Sequence, residues 1–208
     1  MVPARGSPYT PGVRLVLLLL AVSFGLGLLL GGSFKRLAEL KLRYWGLALA
    51  GYALQVLPYP ESWGRDVPIA MLLLSFVLLL AFALANLRQP GLPLIVVGVL
   101  LNFIVIAANW GMPVSARALI NSDQADVLRE LELAPGQKHH LATSEDSLRF
   151  LGDVIPIPDP IHITLSVGDV VLYAGVGLLL VVRMRTGDRL GWKPDHPTSA
   201  STSPETRP

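Results

Sequence analysis

Cysteine is absent from this chain, and charge is scarce: Asp, Glu, Lys and Arg make up 15% of its 208 residues. Without cysteine there is no disulfide framework, no thiolate metal site and no cysteine nucleophile. The low charge excludes an ordinary soluble domain, in which about 25% of residues would be charged. Phosphate loops, dinucleotide fingerprints and an ordered Ser/His/Asp set are missing too. His139, His140, His162 and Asp159 have no helical His-x-x-x-His or other ligand spacing, so neither a metal nor a cofactor is expected. The net charge of +2 is carried by bases that flank apolar runs and form no stripe. That distribution reads as a topology signal and not as a nucleic-acid surface.

What is present is hydrocarbon, since 52% of the residues are apolar. Apolar runs of roughly twenty residues are long enough to cross a hydrocarbon core of about 30 Å, and they predict membrane spans over 15–34, 67–87 and 92–110, all uncharged, and over 163–182, with Asp169 as its only charge. A fifth, shorter run over 44–60 ends at Pro58 and Pro60 and is expected to cross when fed by an interfacial helix in KRLAELKLR, Lys35 to Arg43. The first run carries Ser23, Gly27 and Gly31 at four-residue spacing, a face that lets another helix approach closely. The fold expected is therefore all-α, five spans with a short interfacial helix and one long extracytoplasmic loop, 111–162. Residues 183–208 read as a disordered cytoplasmic tail rich in Pro, Ser and Thr. Placing the N-terminus outside puts ten of the seventeen Lys and Arg inside, and four of the other seven lie in the long loop, where charge weighs little.

Within that loop SDQADVLRELELAPG predicts a short helix capped by Asn121 or Ser122, with Val127, Leu128 and Leu131 on its apolar side. The prolines at 156, 158 and 160 then predict an extended return path. Two Gly-Asp pairs bracket the passage from loop to last span: Gly152-Asp153 and Gly168-Asp169. Asp153 and Asp169 are the candidate catalytic residues, with caps of a turn and of a helix start as the other reading of the two acids. Candidate binding residues are Asn102 and Asn109, two helical turns apart on the fourth run, with Arg117, His139 and His162 in the loop.

NWGMPVSARAL at 109–119, KHHLATSEDSLRFLGDVIPIP at 138–158 and SVGDVVLYAGVG at 166–177 resemble a bacterial family of small multi-pass membrane proteins filed under a domain of unknown function. The resemblance implies architecture and a bacterial cell membrane, and no chemistry. Trp110 stands where that family more usually has glycine. LSVGDVVLYAGVG is also similar to the second aspartate motif of lipoprotein signal peptidases, at the outer end of their last span, and that similarity would make Asp153 the partner acid. Val154 follows Asp153 where those enzymes have arginine, and Ser166 and Gly168 replace their Asn and Ala. Two readings result: a non-catalytic envelope component or accessory subunit, with the bilayer and other membrane proteins as partners, or an aspartyl membrane peptidase.

Overall fold

The computed structural model describes residues 11–187. Among the described residues, four helices are long and apolar enough to cross a membrane: α1 (Pro11–Leu29), α4 (Asp66–Ala85), α5 (Leu92–Asn109) and α8 (Val167–Thr186). Between α1 and α4 lie α2 (Phe34–Ala38) and α3 (Trp45–Val56). The run expected to be the second span is thus helical for only twelve residues, about 18 Å at 1.5 Å per residue. The chain around it explains the shortening: Tyr44 sits in the left-handed region at the start, and Leu57 turns extended at the end, just before Pro58. The interfacial helix is also shorter than expected and stops at Ala38.

The segment 111–162 is not the open loop that an all-α reading implies. It folds into β1 (Met112–Val114), α6 (Ala116–Asn121), α7 (Ala125–Leu133), β2 (His139–Leu141) and β3 (Asp153–Ile157), and it is completed by β4 (Ile163–Ser166). The strands form one sheet in the order β2-β1-β3-β4. β1 runs parallel to β2 and β3, and β3 pairs antiparallel with β4. Of the prolines expected to mark extended chain, Pro156 lies within β3, Pro158 follows the strand and Pro160 falls in a turn; Pro113, within β1, pairs with His140 far along the chain. α7 begins at Ala125 behind Gln124, while Ser122 ends α6 instead of capping α7.

The last run also changes identity part-way. Residues 163–166 are strand, α8 starts at Val167, and it continues to Thr186, so Arg183 and Arg185 belong to the helix and not to a tail. Arg183 is fully buried and donates to the Gln89 side chain and the Gly187 carbonyl. The remainder of the expected tail, 188–208, and the flanking Arg5 lie outside the described residues.

The core forms where α4 meets α5, with Ile69, Leu72 and Phe76 against Val99, Val105 and Ile106. α5 packs closely on α8 because glycines face each other at heptad spacing. A Cβ on Gly98 would lie 2.5 Å from the Gly168 carbonyl oxygen, and one on Gly175 would lie 2.7 Å from the Gly91 carbonyl oxygen. On α1, Ser23 and Gly27 are buried, with Met184 of α8 beside Gly27, whereas Gly31 lies beyond the helix with a φ of 78°.

Candidate functional site

The sheet meets the helices at the junction of β4 and α8, where Ser166 ends the strand and caps the helix. Its Oγ accepts from Asp169 N at 2.9 Å, and Asp169 Oδ2 accepts from Ser166 N at 3.1 Å, a reciprocal capping box. Asn102, buried on α5, closes the arrangement. Its Nδ2 donates to Asp169 Oδ1 at 2.7 Å, and its Oδ1 accepts from Ser166 Oγ at 2.8 Å. Three polar side chains thus satisfy one another in a place where an orphan would be costly. Gly168 makes this approach possible, because a Cβ there would run into the Asn102 amide.

Gly152 performs the same service for the other Gly-Asp pair, since a Cβ on it would collide with the Pro113 carbonyl. That lets β3 lie against β1 and sets Asp153 in register with Ser166, beside the capping ring. Asp153 is 8% exposed. Among the described residues neither of its carboxylate oxygens receives a hydrogen bond, and the nearest base, His139 Nε2, stands 3.9 Å away. Burial, and then the charge of Asp169, hold its carboxyl well above the ordinary carboxylate range.

Asp153 and Asp169 line one cavity of about 530 Å³. Its floor is apolar, with Leu72, Phe76 and Ile106 between α4 and α5, and its rim runs under α7 at Val127 and Glu130, both exposed. Lys138 and His139 stand on the β2 side. The Lys138 ammonium donates to the Gln55 carbonyl at 2.7 Å and lies 5.1 Å from the Tyr59 ring centre. Burial lowers its pKa. Burial, and next the neighbouring ammonium, also lower the His139 imidazole. Half of that side chain meets open space, 52%, so cavity water moderates the depression while leaving its direction intact.

The other predicted binding residues lie apart from this cavity. Asn109 clamps the loop before β3, accepting from Ser147 N at 2.7 Å and donating to Ser147 O at 2.9 Å. Arg117 is exposed on α6 and lines a separate groove with Arg149 and Phe150. His162 stands 3.2 Å from Asp159 and 3.8 Å from Asp123, and His140 bonds Asp146 at 2.9 Å, so the histidines serve different acids. Asn102 and His139 are the two predicted binding residues that share the cavity with the acids. Ser166, Lys138 and Gln55 were missed. Ser166 had a signal in the Ser-x-x-Asp spacing ahead of an apolar run; Lys138 and Gln55 had none, because strand and helix bring them together across 83 positions.

Trp110, in the position more usually glycine, is left-handed with a φ of 49° and is followed by Gly111 at 142°. The indole Nε1 donates to Asp66 Oδ1 at 2.8 Å and ties the end of α5 to the start of α4, an anchor that glycine could not supply.

Residues 39–181 match a family described as "Family of unknown function (DUF5317)". An uncharacterized protein of Thermotoga maritima is 33% identical over 178 residues, which cover 83% of this chain and 90% of that protein. No solved structure matches.

Proposed function

The chain belongs to the DUF5317 family, whose function is unknown, and we propose that it is a non-catalytic component or accessory subunit of the bacterial cell membrane, with the bilayer and other membrane proteins as its partners. The observation that supports this reading over a peptidase is the commitment of Asp169. A catalytic aspartate pair shares a proton and needs both carboxylates available to water and substrate. Each oxygen of Asp169 instead accepts an N–H from the chain itself, one from Asn102 and one from Ser166. To act, the carboxylate would have to leave a cap that contributes about 1 kcal/mol.

Asp169→Asn is accordingly expected to fold and to lose about 1 kcal/mol, and the wild-type protein is expected to leave a diacylated lipoprotein precursor intact. The measurement is a cleavage assay on the purified full-length chain, alongside chemical unfolding. Precursor cleavage by the wild type that disappears in both Asp153→Asn and Asp169→Asn would establish the peptidase instead.

Five crossings, with the N-terminus outside and the C-terminus inside, belong to the same proposal. The short α3 supports them through the contacts at its two ends. Arg43 N donates to Asn86 at the end of α4, whereas Gln55 in the last turn of α3 and Tyr59 just past it accept from Lys138 and Gln137 of the sheet layer. The chain from 43 runs alongside α4 from Asn86 to Ser75, which bonds Gln55 at 3.1 Å, and its extended residues to Tyr59 add reach to the twelve helical ones. Reporter fusions check the arrangement: one after Arg189 is expected to be active only in the cytoplasm, and one near Gln137 only outside. The opposite pattern would invert the topology.

A further inference from the structure

We propose that the cavity between α4, α5, α7 and the sheet is a binding site for a small amphipathic amine, its ammonium on Asp153 and its hydrocarbon on the floor of Leu72, Phe76 and Ile106. This goes beyond the non-catalytic reading and does not depend on it, since a ligand can be held there whether or not it is turned over.

Size is the first support: about 530 Å³ falls within the roughly 300–1,000 Å³ of small-molecule pockets, which combine apolar walls with a few placed polar groups. The second is the state of Asp153. A buried carboxylate ordinarily has a hydrogen-bonded partner, because leaving a charge unpaired away from water is costly. Asp153 is 8% exposed as a residue and 11% as a side chain, lines the cavity and receives no hydrogen bond among the described residues. Its backbone is fixed on both sides, by Ser115 N donating to its carbonyl and by its register with Ser166, so the side chain is held at that wall.

The third support is the sign of the surrounding charge. Three acids line the cavity, Asp153, Asp169 and Glu130, against the bases Lys138 and His139. Asp169 is already paired with Asn102 and Ser166, and Lys138 is spent on the Gln55 carbonyl and the Tyr59 ring. His139 is beyond hydrogen-bond reach of Asp153, and its imidazole is held toward the neutral form. One acid is left over, at the inner wall, above an apolar floor. A primary ammonium supplies three N–H donors and a positive charge. An anion would face Asp169 and Glu130, and a neutral alcohol would supply no positive charge to hold the buried Asp153 carboxyl in its ionised form.

The test uses the full chain in phosphatidylcholine nanodiscs at neutral pH, with octylamine, octanoate and octanol as probes of equal tail length. Octylamine is expected to raise the unfolding temperature saturably, the other two to do so at least tenfold more weakly, and Asp153→Asn to weaken octylamine at least tenfold. Equal stabilisation by octanoate, or an octylamine effect unchanged in Asp153→Asn, would overturn the proposal. Because Asp153→Asn could also disturb β3, the wild type provides an independent readout. An alkylamine with a tail diazirine is expected to label α4 and α5 around Leu72, Phe76 and Ile106, with competition by octylamine and none by octanoate. Labelling confined to the exposed faces of α1 would mean partition into lipid and would also overturn it.

Discussion

Gly168→Ala is expected to destabilise the protein by about 3 kcal/mol or more, at the upper end of what overpacking costs. The added methyl group would run into the Asn102 amide and lie 2.7 Å from the Gly98 carbonyl oxygen, so it would press on a buried hydrogen-bonded side chain and on the backbone of α5 at once. Neither can swing away. Gly98→Ala meets the same contact from the other side, 2.6 Å from Leu172 N, and is expected to behave alike. Gly46→Ala on α3 is the control: nothing lies within 4 Å of its Cβ, and the lower backbone entropy of alanine should stabilise the helix by about 0.5–1 kcal/mol. Chemical unfolding in mixed micelles, followed by circular dichroism, compares the three. Equal midpoints for Gly168→Ala and Gly46→Ala would remove the account of α5–α8 packing.

The second large effect is expected at Asn102. Leucine is of similar size but offers neither donor nor acceptor, so Asn102→Leu would leave the Ser166 hydroxyl and one oxygen of Asp169 without their present partner. At about 1–3 kcal/mol for each of the two orphaned buried groups, the loss should be roughly 2–6 kcal/mol. The distinguishing measurement is a double-mutant cycle with Asp169→Asn. If the three residues act as one ring, the two substitutions are expected to be non-additive by at least about 1 kcal/mol. Additivity would mean that Asn102 contributes through packing alone.

The long helices were legible because hydrocarbon thickness imposes a length on an uncharged run, and α4 and α5 lie close to their expected bounds. Residues 44–60 misled because apolarity reports burial in lipid, not helix, and two prolines with a left-handed Tyr44 break the run at its ends. The sheet was illegible for another reason. Strands of three to five residues carry too little alternation to read, and β1 finds its partners at His139 and Asp153, far along the chain. In the site, the helix cap at Asp169 could be read from Ser-x-x-Asp, and Asn102 could be singled out as an amide that needs a partner. That the partner is Asp169 itself could not be read, since it depends on glycines 98 and 168 admitting two backbones to one another. The same holds for Asp153, whose lack of a hydrogen bond among the described residues is a property of the cavity wall and not of its neighbours in sequence.

No residue separates β4 from α8: Ser166 is the last of one and the cap of the other. A joint without a linker has no slack, and here it is braced from both sides by the capping box and by Asn102 of the adjacent helix. Sheet and helix therefore make a single lever about Ser166, one arm forming the wall of the cavity and the other running to Arg183 and Gln89 at the far end. A joint braced in this way is expected to pass a tilt of the sheet arm on to the helix arm.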